Sequence, residues 1–286
     1  MTHHTSPEQG TQRRPADPFT ERTPRVVSAS KLHRAASRRK AGRFLAEGAN
    51  SVEAALATDR ALEVFCDEDA ADRFSALIDT ARGRGVRVSM VTARAMRSLA
   101  DTVTPSGIVA LCRTLVVESG HDPADTAGSH PARLVAIGQA LAEPGNVGTL
   151  IRVSDALGAD AVWLTEGSVD PENPKAVRAS AGSLFHLPVV RGIAESGLVA
   201  RAHASGLQIA VATADGEVDI EHADEILSRP TAWIFGNEAH GVPAALAAAA
   251  DVRVRIPIRG RAESLNIVTA ASICLHTSVR LQGAGL

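Results

Sequence analysis

Ile234-Phe235-Gly236-Asn237-Glu238-Ala239-His240-Gly241 sets a polar segment bearing glycine and asparagine at the mouth of an apolar run. Two other segments of the second half have the same character: Asn146-Val147-Gly148 with Arg152, and Glu263-Ser264-Leu265-Asn266. A parallel α/β sheet places its ligands at such points, because loops leaving buried strands expose backbone N–H groups to solvent. Outward from these segments, apolar strands at 134–137, 161–164, 207–212, 232–235 and 252–256 alternate with helical stretches. The helices are expected at 147–157, near 174–181, at about 243–249 and at 265–281. Continuous apolar strands between helices imply a parallel sheet covered on both faces.

The first half reads as a smaller α/β/α sandwich. A helix-compatible stretch at 30–42 leads into a strand at 44–47 that ends on Gly48, followed by a helix at 51–57. Strands are expected at 61–66, 86–90 and 108–112, separated by helical stretches at 68–82 and 92–100. Residues 118–131 are rich in turn formers and poor in apolar side chains, which marks a linker. The expected organisation is a disordered tail over 1–24, a first domain over 25–117, the linker, and a second domain over 132–286. The tail carries Pro15, Pro18 and Pro24 and no apolar h-region, so it reads as neither a secretory signal nor a folded element.

Bulk properties exclude several classes. With 45% hydrophobic and 22% charged residues the chain reads as an ordinary soluble protein, and no apolar run reaches the ~18 residues of a membrane helix. Cys66, Cys112 and Cys274 are widely spaced without a C-x-x-C, which argues against disulfides or zinc and suits a reducing cytoplasm. They read as buried small hydrophobes. Net charge is only −2, yet Arg25, Lys31, Arg34, Arg38, Arg39, Lys40 and Arg43 form a stretch without an acid. Such a stretch is either a solvated helix face or a set of phosphate contacts.

No G-x-G-x-x-G, Walker A loop, G-x-S-x-G elbow or H-E-x-x-H is present, which weakens dinucleotide, nucleotide, hydrolase and zinc readings. Present in order are Ala142-Glu-Pro-Gly-Asn-Val-Gly-Thr-Leu-Ile-Arg152, Ile234-Phe-Gly-Asn-Glu-Ala-His-Gly241 and Ile256-Pro-Ile-Arg-Gly-Arg-Ala-Glu-Ser-Leu-Asn266. This series resembles the three motifs of the SpoU (TrmH-like) RNA ribose 2′-O-methyltransferases of the SPOUT superfamily, over about residues 132–283. Lys40, Phe44, Glu47 and Gly48 resemble the family's N-terminal substrate-binding domain, an L30e-like sandwich that grips RNA. The resemblance implies a SPOUT parallel-sheet domain with a deep trefoil knot, a homodimer, S-adenosylmethionine as cofactor and no metal. Spacing and periodicity say nothing of a knot.

Residue by residue, the resemblance implies a catalytic set of Asn146, Arg152, Glu238, Ser264 and Asn266. Arg152 would sit by the reacting ribose and phosphate. An arginine stays protonated, so its role would be to lower the pKa of the 2′-hydroxyl and fix the phosphate rather than to abstract a proton. Glu238 would shape the site, Asn266 would orient Arg152 or the ribose, and Ser264 is also a candidate N-cap of the last helix. Where many relatives have Ser two positions after that Asn, this chain has Val268. The implied cofactor loops hold Thr213, Ala214 and Gly216; Phe235, Gly236, Asn237 and Glu238; and Ile256, Ile258, Ser264 and Leu265. Ile234, Ile256, Ile258 and Leu265 would form an apolar floor, or plain core. Ile267, Val268, Ile273, Leu275 and Val279 of the last helix would supply a dimer face or core.

With that resemblance, Lys31, Arg34, Arg38, Arg39, Lys40 and Arg43 become expected RNA contacts through phosphate and shape, because aromatics are scarce for base stacking. The reading is a cytoplasmic, homodimeric RNA ribose methyltransferase, with rRNA as the favoured substrate. A tRNA methyltransferase and a non-catalytic ribosome-assembly factor are the alternatives.

Overall fold

In the computed structural model, whose described residues are 17–118, 131–237 and 239–283, the chain builds two sheets. The first holds β1 (Arg43–Glu47), β2 (Ala61–Asp67), β3 (Arg87–Val91) and β4 (Ile108–Arg113) in the order β1-β4-β2-β3. Only β2 and β3 run parallel. Five helices accompany it: α1 (Pro24–Ser30), α2 (Ala35–Ala41), α3 (Ala49–Ala57), α4 (Ser75–Gly83) and α5 (Ala93–Leu99). Strand alternation explains the layers: Phe44 and Ala46 enter the core shared with α3, while Leu45 points to the opposite cluster with Val26, Ala95 and Leu99. Gly42 ends α2 in the left-handed conformation at φ +59°, which a residue with a Cβ rarely adopts.

The second sheet contains eight strands, all parallel: β5 (Val117–Glu118), β6 (Leu134–Gly138), β7 (Ala161–Thr165), β8 (Val189–Ile193), β9 (Gln208–Ala212), β10 (Val218–Asp219), β11 (Thr231–Phe235) and β12 (Val252–Arg255). Their order is β10-β12-β9-β11-β6-β7-β8-β5. Every residue of β6, β7 and β11 is buried, as covering on both faces requires. The helices are α6 (Pro144–Ala156), α7 (Pro174–Ser180), α8 (Glu195–Ala204), α9 (Asp224–Leu227), α10 (Ala244–Ala248) and α11 (Ile267–Leu281). No helix among the described residues is long and apolar enough to cross a membrane.

Several boundaries differ from the sequence expectation. Phe19, expected in the disordered tail, pairs with Val91, exchanges backbone hydrogen bonds with Met90 and Thr92, and packs against the α1–α5 cluster. Residues 1–16 of that tail lie outside the described residues. The helix expected over 30–42 is broken by a 3-10 turn at Lys31–His33. Val117, expected in the first domain, and Glu118, expected in the linker, form β5 beside β8 in the second sheet; residues 119–130 of that linker lie outside the described residues. Strand β8 and helix α8 have no counterpart in the sequence reading, because Gly192 and Gly197 interrupt their hydrophobic patterns.

The two halves share one core. Phe44 stacks on Phe185 with ring centroids 5.8 Å apart, and β1 packs on α7. Helix α7 in turn packs on α6, and α6 on α11. At the first of these contacts a Cβ on Gly148 would lie 2.2 Å from the Ala176 carbonyl oxygen, so only glycine allows the helices so close.

Candidate active site

Parallel strands β9, β11 and β12 end together, and the loops leaving them enclose a cavity of about 850 Å³ against the start of α11. That volume suits a drug-sized ligand. Thr213 and Ala214 line it after β9, Phe235 at the end of β11 with Gly236 and Asn237 after it, and Ile256 and Ile258 after β12. Ser264, Leu265 and Asn266 close it before α11. Ile258 and Leu265 are each 37% exposed, which leaves two aliphatic side chains open at the cavity.

Not every expected residue reaches it. Ile234 is fully buried among the core residues between β9, β11 and α8, so it is core rather than floor. Gly216 is absent from the lining; its glycine is needed because a Cβ would strike the Arg255 nitrogen at 2.6 Å. The turn around it is held by charge. Thr213 Oγ1 donates to Asp215 Oδ1 at 2.6 Å and keeps that carboxyl below the usual range, and Glu217 accepts the Arg253 backbone N–H and side chain. Glu238 lies outside the described residues.

Helix α11 begins at Ile267, and its N-cap is Asn266, whose Oδ1 accepts from Val268 N at 2.9 Å and Thr269 N at 3.4 Å. The N-cap expectation for Ser264 is therefore wrong. Its hydroxyl stands exposed at the cavity, two residues before the cap. Asn266 Nδ2 points the other way, 3.5 Å from Asn146 Oδ1 on the first turn of α6. One asparagine thus caps α11, lines the cavity and reaches the helix that carries Arg152. Arg152 is exposed, lies outside the cavity lining and has no ion pair among the described residues.

Asn237 lines the cavity, but its side chain is occupied by the protein. Nδ2 donates to Ala140 O at 2.7 Å, while Oδ1 accepts from Ala239 N at 2.9 Å and stands 3.3 Å from His240 Nδ1. Its backbone exchanges two hydrogen bonds with Gly241, close enough that a Cβ on Gly236 would meet Gly241 C at 2.4 Å. Sequence reasoning missed the partner, Ala140, which holds φ +48° with its N–H on Thr165 Oγ1 at 2.9 Å. Nothing in the residue type signals it, since alanine rarely adopts that conformation. Gln139, buried beside it, donates to Glu195 at 2.6 Å.

The basic stretch divides. Lys31, Arg34, Arg39, Lys40 and Arg43 are exposed, whereas Arg38 is 2% exposed and paired with Asp170. Arg38 is a structural residue and not the expected RNA contact. In its place the sheet offers Arg113, exposed and directly opposite Arg43 in the β1–β4 register.

Residues 133–276 match the family described as SpoU rRNA methylase, and residues 45–115 match the domain described as RNA 2′-O ribose methyltransferase substrate binding. The chain belongs to the SpoU rRNA methylase family. Within it, the chain is 34% identical over 252 residues to the 23S rRNA (guanosine(2553)-2′-O)-methyltransferase RlmP of Bacillus subtilis strain 168, covering 88% of this chain and 94% of that protein. The SpoU methyltransferase AviRb of Streptomyces viridochromogenes, solved with AdoMet, superposes with a TM-score of 0.78 at 27% identity, covering 93% of this chain and 100% of that one. The AdoMet-bound rRNA methyltransferase of Sinorhizobium meliloti superposes with a TM-score of 0.75 at 28% identity, covering 90% and 95%. Both SpoU motif regions that flank the cavity, 236–241 and 256–266, fall inside the matched segment.

Proposed function

We propose that this chain transfers a methyl group from S-adenosylmethionine to a ribose 2′-oxygen of 23S rRNA, as a cytoplasmic homodimer. The observation that carries the reading is the placement of Ser264 and Asn266: both line the cavity, and Asn266 stands 3.5 Å from Asn146 on the helix of Arg152. Asn266 thereby links the cavity to the helix that carries Arg152. The two relatives that carry AdoMet superpose over nine-tenths or more of this chain and support the same cofactor.

The residues present fit that cofactor. The lining is mostly glycine and aliphatic residues, with Ile258 and Leu265 open to cover apolar parts of a ligand and Thr213, Arg255, Glu263 and Ser264 offering polar groups. When bound, S-adenosylmethionine supplies a methyl group on a sulfonium, and its transfer to an oxygen disperses charge, which a dry wall favours. The Arg152 guanidinium stabilises the developing charge on the 2′-oxygen and holds the neighbouring phosphate. Asn266 orients the ribose or Arg152, and Ser264 offers a hydroxyl to the same group.

Arg152 has no partner among the described residues, which favours a role toward RNA and a second subunit. Ile267, Ile273 and Val279 remain partly exposed on α11 and fit a dimer face, whereas Val268 and Leu275 are buried in the chain's own core. The reading includes a deep trefoil knot in the loops around the cavity and an L30e-like grip on RNA by Lys31, Arg34, Arg39, Lys40 and Arg43. Among the described residues no group of three or more His, Cys, Asp or Glu gathers to hold a metal.

The test is transfer of labelled methyl from S-adenosylmethionine to separately purified, unmodified 23S rRNA, 16S rRNA and tRNA. Label confined to 23S rRNA supports the reading. Cofactor binding with no label in any RNA points to an assembly factor instead.

A further inference from the structure

We infer that Arg38 is a positioning residue that pins the RNA-gripping half at one fixed place relative to the methyl-transfer cavity, so that the nucleotide is selected by distance along folded RNA. The inference rests on the ribose methyltransferase reading.

Arg38 uses its whole guanidinium inside the protein. Nη2 and Nε hold Asp170 Oδ2 at 2.6 and 3.0 Å, and Nη1 donates to the Leu32 and His33 carbonyls at 2.9 and 3.0 Å. Asp170 belongs to the loop between β7 and α7, in the other half. Its second oxygen accepts from Arg191 Nη1 at 3.1 Å, so one buried carboxylate joins a cation from each half. Exposed ion pairs hold little, but a buried one cannot be opened without stranding a charge away from water. The planar fork also fixes direction, because it matches its acceptors only in one orientation.

The same short region carries two more latches. Glu172, also buried, accepts from the Thr114 hydroxyl at 2.6 Å and Leu115 N at 2.8 Å, which seizes the chain just after β4. Arg178 of α7 lies 3.6 Å from Glu47 and 3.5 Å from Asp101 of the first half. Residues 170–178 therefore clamp the first half at three points. From there packing is continuous: α7 on α6 through Gly148, α6 on α11, and Asn266 at the head of α11 in the cavity wall.

Pinning Arg38 also sets the rotation of α2. With that side chain turned inward, Arg34, Arg39 and Lys40 on the same short helix and its cap are turned outward, one strand start away from Arg43. The cationic face and the cavity then move as one body, and an RNA held by the first presents only a nucleotide at the matching reach to the second.

Arg38→Met tests this, because it removes the pin while Asp170 keeps Arg191. On full-length 23S rRNA the variant is expected to raise KM and lower transfer at the native position by up to about a hundredfold, the cost of misplacing a reacting group. It should also spread label to further riboses. Cofactor affinity, and transfer to a short stem-loop cut around the mapped nucleotide, should match wild type. Arg38→Lys, which keeps a cation but not the planar fork, should restore single-site labelling only in part. Should Arg38→Met fail to fold, Glu172→Gln loosens the second latch and is read in the same way. Small-angle scattering gives a readout without RNA: a larger and more variable radius of gyration supports the pin. A scattering profile superimposable on wild type, or one methylated nucleotide with unchanged KM, overturns it. A wild-type protein that labels no RNA overturns the functional reading, and scattering still decides the pin.

Discussion

Asn237 Nδ2 donates to the Ala140 carbonyl at 2.7 Å, which ties the loop leaving β11 to the loop leaving β6. Ala140 is held at φ +48°, a conformation that costs an alanine roughly 1–2 kcal/mol and persists only when its neighbours over-determine it. Asn237→Ala removes the clamp and frees the cavity wall. Losing one well-made hydrogen bond to a half-buried carbonyl costs about 1 kcal/mol, so cofactor affinity should weaken several-fold. Adding Ala140→Gly, which relieves the backbone, should recover part of the loss. Calorimetric titration with S-adenosylmethionine checks both; an Asn237→Ala protein that binds like wild type would show that the clamp does not shape the cavity.

Arg152→Ala should cut transfer sharply and leave cofactor affinity nearly intact, because Arg152 is exposed and outside the cavity lining. Removing a group that stabilises developing charge typically costs about 100- to 1,000-fold in turnover. Single-turnover rates and cofactor dissociation constants measured on the same preparation separate the two effects. Equal loss of both would place Arg152 in the cofactor site instead.

Gly148→Ala should destabilise the protein although alanine is the better helix former. Helix propensity favours the change by about 1 kcal/mol, but a Cβ would sit 2.2 Å from backbone oxygen of Ala176. Overpacking against backbone takes the upper part of a roughly 1–3 kcal/mol range, for a net loss of about 1–2 kcal/mol. Urea unfolding reads this directly. An unchanged midpoint would mean that α6 and α7 do not pack so closely.

Arg43 and Arg113 face each other across β1 and β4, both exposed and neither in an ion pair among the described residues. Each replaced by Ala should weaken binding of 23S rRNA and lower the slope of log K against log salt by about 1. Binding measured across a salt series checks it. A loss of affinity with the slope unaltered would argue against phosphate contact.

Burial pushes the Cys66 thiol up to about 11, and pushes Cys112 and Cys274 higher still. A thiol that keeps its proton in the folded state stabilises that state fully at neutral pH. The contribution is lost as pH climbs from the ordinary thiol value of 9.0 toward the folded one, because the unfolded chain then releases protons that the native chain holds. The thermal midpoint should fall between pH 9.0 and about 11. All three thiols should resist Ellman's reagent in the native protein and react after denaturation. Rapid native labelling of any one would contradict its burial.

Much of this was legible in the residues. Strands such as Ala61–Asp67 and Thr231–Phe235 announce themselves as short apolar runs bounded by turn formers, and the three motif segments mark the loops that surround the cavity. Apart from β8 and α8, whose patterns Gly192 and Gly197 interrupt, the failures depend on what lies around a residue in space. Arg38 differs from Arg39 and Lys40 only because Asp170, far along the chain, meets it. Ile234 differs from Ile256 because β11 is central and buried on both faces, while Ile256 lies just past its strand. Ser264 and Asn266 are equal N-cap candidates by type, and the start of α11 at Ile267 selects Asn266. Phe19 looks like part of a polar tail until the edge of β3 takes it.

The central claim is tested most directly by identifying the product. Unmodified 23S rRNA is incubated with the protein and trideuteromethyl S-adenosylmethionine, digested to nucleosides and analysed by mass spectrometry for the position of the heavy methyl. A heavy 2′-O-methyl nucleoside, from one position and absent with Arg152→Ala, is the predicted result. Heavy methyl on a base, or none on 23S rRNA while the cofactor is bound, would contradict the account.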